Sequence, residues 1–335
     1  WHSIWKDMPT SRHGALIGAT MRRVFQLEIV AEKMQEMGEN PHVNGENWVL
    51  MQLYRKMYET WPERFQVKPT QMLEVEKLRK MHPNFQWPID DIAWDVALAL
   101  SSVDAELSIK PLLLLGNPGV GKTHFSLKIA ELLGTWTQIA PMSSMTAWWL
   151  LSWSSNQWRW SKPGKVFEAL IGSDYANPVM IVDEIDKASI TWHYDPLGAL
   201  YQLLEEDTAA RFVDEFAEVP IDASHVIWIA TANNESSIPT PILDRMNVHT
   251  IPDPTREQTA EIIHLLYSDF LQKNVWGKLF QSSLSTNVVE KLMSVWPRHI
   301  KKVLQKAFWK ATIAKRDHLI PEDIIIENTS RSRPI

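Results

Sequence analysis

The chain has 335 residues, 45% of them hydrophobic and 22% charged, with a formal net charge of −6 at pH 7; that length and balance predict about two globular domains with a sizeable core. The net acidity predicts no bulk attraction to nucleic acid or to an anionic membrane surface. The absence of cysteine excludes disulfides, cysteine-ligated zinc, iron–sulfur clusters and a thiol nucleophile, and fits a reducing compartment, with the cytoplasm as the default.

In chain order, the opening WHSIWKDMPT lacks the charged-then-apolar layout of a signal peptide, and no apolar run reaches the ~18 residues of a membrane span. Met21 stands just before a helical pattern and is a candidate initiator, with residues 1–20 then an extension outside the native structure. From Met21 to Trp61 the spacing predicts helices, with Val24, Leu27, Val30 and Met34 on one face and Trp48, Met51, Leu53 and Met57 beyond a loop over 38–45. A further helix is predicted over 70–81. The stretch from Pro83 to Pro88 marks a boundary, and another helix is predicted over 90–101.

The middle of the chain alternates strand and helix. Pro111 to Leu115 (PLLLL) is wholly apolar, as a strand buried on both faces of a parallel sheet would be. Helical spacing follows at Phe125, Ile129, Leu132 and Leu133, closed by Gly134 at the C′ position. Val179–Val182 and Val226–Thr231 repeat the buried-strand signature. Between them lies a helix with Asp195 as N-cap, Pro196 at N1 and Leu197, Leu200 and Leu204 facing inward. Beyond Pro252 and Pro254 strand signals fade, and Thr255 with Gln258 forms a capping box ahead of Ile262, Ile263 and Leu266. The pattern predicts an α/β sheet between helices with a small helical C-terminal domain, divided as 1–83, 84–254 and 255–335.

GNPGVGKT, Gly116 to Thr123, matches G-x-x-x-x-G-K-[ST] and sits between a buried strand and a helix, where a phosphate-cradling loop belongs. In such a loop the backbone from Gly116 through Asn117, Pro118, Gly119, Val120, Gly121, Lys122 and Thr123 to His124 wraps the phosphates with its N–H groups, Pro118 having none to give. Lys122 reaches the β- and γ-phosphates and the Thr123 hydroxyl ligates Mg²⁺. VMIVDEID, Val179 to Asp186, is an apolar strand ending in two acids at the sheet's ligand edge. There Asp183 would hold Mg²⁺ and Glu184 would polarise an attacking water, which points to hydrolysis beyond nucleotide binding.

With GNPGVGKT, VMIVDEIDKAS, DPLGALYQLLEEDTAARFVDEFAEVPIDASHVIWIATANN, IPTPILDRM and WPRHIKK on one chain, residues 84 to 327 resemble the ATPase module of the AAA+ superfamily, most closely that of the Lon protease family. The resemblance implies a P-loop nucleotide domain with a helical lid, ATP and Mg²⁺ as cofactors, and a homo-oligomeric ring, a hexamer. It implies that Asn233 is sensor 1, between γ-phosphate and water, that Arg245 is the arginine finger acting on a neighbouring subunit's ATP, and that Arg298 is sensor 2 on the lid. Polypeptide remodelling or unfolding is the implied output, with a central-pore aromatic at Trp158 and a separate peptidase as a possible partner. Two other readings stay open: a nucleotide-switched regulatory module, and a nucleic-acid-directed motor, against which the acidity argues. No Ser and Lys pair of the Lon proteolytic domain follows the lid pattern, and neither G-x-S-x-G nor H-E-x-x-H occurs, so a self-contained protease is not expected.

The composition has one anomaly. There are 17 Trp and only 12 Gly, against about 23 Gly at a usage of roughly 7%. Trp153, Trp160 and Trp296 stand where the Lon-like pattern has Gly, and Trp94, Trp148 and Trp192 stand in contexts natural for Gly. The expectation is that some of these codons are UGA, read as glycine in some genetic codes. If every one is UGG, that expectation fails.

Overall fold

The computed structural model describes residues 17–38, 46–143, 163–188, 196–295 and 297–326. Trp148, Trp153, Trp158, Trp160, Trp192, Asp195 and Trp296 lie outside these, and so do the expectations placed on them. The elements are β1 (Ile17–Arg23), α1 (Leu27–Gly38), α2 (Glu46–Glu59), β2 (Glu63–Pro69), α3 (Val75–Met81), α4 (Gln86–Leu100), β3 (Leu112–Gly116), α5 (Lys122–Leu133) and β4 (Thr137–Pro141). There follow α6 (Lys165–Gly172), β5 (Val179–Asp183), α7 (Leu200–Leu203), α8 (Glu206–Ala209), β6 (Phe212–Val213), β7 (Pro220–Ile221) and β8 (Ile227–Ala232). The series closes with α9 (Thr240–Leu243), β9 (Asn247–Ile251), α10 (Arg256–Lys273), α11 (Thr286–Met293) and α12 (Pro297–Ile313).

The chain divides into two compact units, one of Trp1–Leu73, Asp91–Leu115 and Thr123–His249, the other of Glu74–Asp90, Gly116–Lys122 and Thr250–Ile335. In the first, the strand order is β4-β5-β8-β3-β9, with β4, β5, β8 and β3 mutually parallel along their pairings. The predicted α/β core is therefore present. Its middle strands LLLL, VMIV and IWIATA are buried along almost their whole length because helices cover both faces. Because β8 lies between β3 and β5, the carboxyl ends of three non-consecutive strands share one sheet edge, the position where open α/β sheets bind ligands.

The N-terminal region is helical in α1 and α2, but it also contains a strand pair absent from the sequence reading. β1 and β2 pair antiparallel from Ile17↔Pro69 to Arg23↔Glu63. Ile17–Thr20, read from sequence as part of an extension, thus form the first half of a ladder, and the predicted helical start at Met21 is strand. Charge hid the pattern, since β2 buries Arg64 and Gln66 beside Val67. Arg64 Nε donates to Leu170 O at 3.1 Å and Nη2 to Ile171 O at 3.4 Å, satisfying carbonyls in the last turn of α6. Lys68 Nζ lies among the carbonyl oxygens of Ala99, Ser102, Val103 and Ala105, at 2.5–3.1 Å, at the C-terminal end of α4. The Asn177 side chain accepts from Val67 N at 3.0 Å and donates to Val67 O at 2.7 Å, as a neighbouring strand would. Val24, Phe25, Val30, Leu50, Tyr54 and Met57 share one hydrophobic core with Leu113, Val182 and Trp228 of the sheet.

Other boundaries shift for local reasons. The helix predicted over 70–81 begins only at Val75, and the one predicted from residue 90 begins at Gln86, taking Pro88 into its first turn. The helix predicted from Asp195 begins at Leu200 after a turn, yet Leu197, Leu200 and Leu204 are buried as read. Gly134 closes α5 with φ +72°. Among the described residues no Trp takes a positive φ, and Trp94 projects from α4 at 61% exposure.

The second unit contains the helical C-terminal region. Thr255 and Gln258 form the predicted reciprocal capping box at the start of α10. Ile300, Val303, Leu304, Ala307 and Phe308 of α12 are buried. Around Phe308 the rings of Tyr267, Trp276 and Phe280 gather with centroids 4.9–5.5 Å away, the offset and edge-on arrangements aromatic quadrupoles favour.

Candidate active site

The loop Gly116–Lys122 carries the phosphate-binding sequence, and its backbone already has the required shape. Gly119 and Gly121 adopt φ +89° and +104°, conformations that would strain any side chain. Asn117 and Pro118 are exposed, whereas Val120 is buried at 6% and anchors the loop. Asn117 Nδ2 donates to Asp253 Oδ2 at 3.0 Å. Lys122, 7% exposed, directs Nζ to the carbonyls of Gly116 at 2.6 Å and Asn117 at 3.0 Å, so its ammonium is held at the loop's mouth. Phe85, fully buried, approaches Gly121 to within 3.8 Å of where a Cβ would stand. The Arg298 side chain lies along the same loop, its Cδ 3.4 Å from the Cβ position of Gly119.

In the other unit, the ends of β5 and β8 bring the acids together with two hydroxyls. Thr123 Oγ1 donates to Asp183 Oδ1 at 2.7 Å, and Thr231 Oγ1 donates to the same oxygen at 2.8 Å. Glu184 follows in a left-handed conformation, φ 56° and ψ 50°, which non-glycine residues adopt mainly where the surroundings impose it, often at functional sites. Its N–H donates to Thr231 Oγ1 at 2.9 Å. Asp183 and Glu184 are both half-exposed, facing solvent at the strand end, while Val179–Val182 behind them are buried.

Asn233 is half-buried immediately after β8. Its neighbour Asn234 is the turn-capping residue, accepting from Ser236 N at 3.1 Å. Arg245, after α9, is engaged within its own chain: Nε lies 2.8 Å from Glu205 Oε1 and Nη1 donates to Pro241 O at 2.6 Å. His124 is exposed on the first turn of α5. Thr231 is a site residue that sequence reading passed over. Its signal was a single hydroxyl near the end of the apolar run IWIATA.

Converging hydroxyl and carboxylate oxygens are the donor set that Mg²⁺ prefers, since this ion takes one or two protein oxygens and completes its shell with phosphates and water. Among the described residues no cluster of three or more His, Cys, Asp or Glu is placed to hold a metal by itself. The residues present therefore fit a nucleotide-borne Mg²⁺.

Residues 112–253 match the family model described as ATPase family associated with various cellular activities (AAA). The chain is 28% identical over 235 residues to Lon protease 2 of Hydrogenovibrio crunogenus, covering 70% of this chain and 26% of that protein. It is 32% identical over 203 residues to the Lon protease of Heliobacterium modesticaldum, covering 60% and 25%. The chain thus spans about a quarter of the length of these curated relatives. Among solved structures, the S. cerevisiae Hsp104:casein complex in its extended conformation shares the fold with a TM-score of 0.54 at 16% identity, over 72% of this chain and 47% of that one. Strand order, phosphate loop and family match agree: over residues 112–253 the chain matches the AAA family model on a sheet of that fold, and it is similar in sequence to the Lon proteases.

Proposed function

We propose that this chain hydrolyses ATP with Mg²⁺ and uses the energy to remodel or unfold polypeptides as part of a homo-oligomeric ring, a hexamer. The observation that carries this reading is the Thr123–Asp183 hydroxyl–carboxylate contact at 2.7 Å, with Glu184 as the next residue. Thr123 and Asp183 would hold the Mg²⁺, which when bound neutralises charge on the phosphoryl oxygens. Lys122 supplies a second positive charge, to the β- and γ-phosphates, after leaving the carbonyls of Gly116 and Asn117. The Glu184 carboxylate orients the attacking water and draws its proton, and Asn233 fixes that water from the end of β8. Arg298 reports the nucleotide from α12, consistent with its position along Gly119. Arg245 serves a neighbouring subunit's ATP once it exchanges Glu205 for phosphate.

The organisation we assign is an N-terminal region over 1–83, in which helices accompany the β1–β2 ladder, the nucleotide domain over 84–254 and a helical lid over 255–335. Among the described residues no helix is long and apolar enough to cross a membrane, and we assign the cytoplasm on the absence of cysteine. The acidic net charge supports a polypeptide client over nucleic acid, and a separate peptidase is a further partner to test.

The test is phosphate release and fluorescent-nucleotide binding for the wild type, Lys122→Ala and Glu184→Gln. Expected are loss of nucleotide binding in Lys122→Ala, and in Glu184→Gln retained binding with turnover lower by about 10²-fold or more. A wild-type rate per chain that rises with protein concentration supports the ring. Tight binding without turnover at any concentration overturns the hydrolase reading in favour of a nucleotide-switched module, and stimulation by DNA or RNA but not by unfolded protein overturns the client.

A further inference from the structure

β8 is apolar except for Thr231, which is 1% exposed at the centre of the sheet, in register with Leu114 of β3. A buried hydroxyl needs partners. Thr231 has two, and both belong to the acidic pair: it accepts from Glu184 N–H at 2.9 Å and donates to Asp183 Oδ1 at 2.8 Å. A hydroxyl carries one proton, and here that proton is committed to Asp183 while the oxygen receives the Glu184 N–H. One side chain therefore ties together the acid assigned to the metal and the backbone of the acid assigned to the water. The tie matters most at Glu184, whose φ of 56° is a conformation that persists where the surroundings over-determine it.

We propose that Thr231 is a positioning residue for hydrolysis, its hydroxyl setting the rotamer of Asp183 and the left-handed turn of Glu184 together, so that the two acids are presented as one unit. The proposal rests on the ATPase reading above. Thr231 itself is buried behind the two acids within the sheet, and acts through them.

The experiment compares the full chain with Thr231→Val, which keeps shape and β-branching but removes the hydroxyl, and Thr231→Ser, which keeps the hydroxyl. Thr231→Ala repeats the hydroxyl-less test without a second methyl in the interior. The first readout needs no nucleotide: hydrogen exchange of the Glu184 amide should quicken at least about fivefold in Val and Ala and stay near wild type in Ser. The second is steady-state hydrolysis. We expect kcat to fall about 10- to 100-fold in Val and Ala with KM for ATP nearly unchanged, the half-saturating Mg²⁺ concentration to rise, and Ser to restore both. Equal loss in Ser and Val, or a Val enzyme with wild-type kcat and wild-type Glu184 exchange, overturns the proposal. A wild type that hydrolyses no ATP overturns the reading of the site, and the exchange comparison then decides the hydroxyl bridge by itself.

Discussion

Asn177 offers the sharpest test of how the N-terminal ladder is fastened to the sheet unit. Both Asn177 and Val67 are fully buried, and the Asn177 side chain satisfies both backbone groups of Val67. Truncation to alanine leaves one N–H and one C=O unpaired in the interior. At about 1–3 kcal/mol for each of the two orphaned groups, Asn177→Ala should cost about 2–6 kcal/mol, with partial relaxation favouring the lower half of that range. Asn177→Asp is isosteric and keeps the acceptor for Val67 N–H, but sets a buried carboxylate oxygen against Val67 C=O. At neutral pH it should therefore be the worse variant. Burial raises an aspartate's native pKa above its unfolded value, so this variant should regain stability as pH falls, its protonated oxygen then donating where the amide did. Urea unfolding followed by far-UV circular dichroism at pH 7 and pH 5 measures both effects, with Val67 amide exchange as a local check. A cost below about 0.5 kcal/mol for Asn177→Ala, or an aspartate variant no worse than alanine at pH 7, would refute the account.

Three further outcomes are expected. Asp214, fully buried, accepts from Gly164 N, Phe216 N and Ala217 N, yet burial pushes its carboxyl above the ordinary range against those bonds. Its contribution to stability should be complete at acid pH and decline as pH rises through the native pKa, and Asp214→Asn should lose that slope while costing about 1–2 kcal/mol for the bond from Gly164. The Tyr267 phenol, buried and donating to Gln281 O at 2.6 Å, is pushed up to about 12 from 10.0; the helical unit should therefore lose stability between those pH values, and alkaline unfolding of Tyr267→Phe should lack this component. Arg245→Ala should lower turnover about 10³-fold or more with nucleotide affinity retained, a result that single-turnover kinetics would separate from a binding defect.

The sequence was most legible where burial and chemistry impose strict patterns. LLLL, VMIV and IWIATA declare themselves because helices cover both faces of the sheet's middle, and the phosphate loop does so because Gly119 and Gly121 must take positive φ. The two outer strands did not, since TQIAP and NVHTI are only partly buried and carry no apolar run. β2 was hidden for another reason: Arg64 and Lys68 interrupt the apolar pattern of ERFQVKP, and spend their charge on helix-end carbonyls. Thr231 went unnoticed because its partners, Asp183 and Glu184, lie 48 and 47 residues away in sequence and meet it only through strand pairing.

The lysine and arginine on β2 also decide what a shorter version of this protein would be. Cutting the chain between β2 and α4 would delete no residue of the acid cluster, and by motif alone would look harmless. It would nonetheless strip the cationic plugs from the ends of α4 and α6 and leave four carbonyls around the vacated Lys68 position. The β2 segment thus behaves as a keystone laid before its surroundings and locked when residues 99–105 and 170–177 arrive to close around it. Domain shuffling at this junction would have to bring its own replacements for one buried and one half-buried cation.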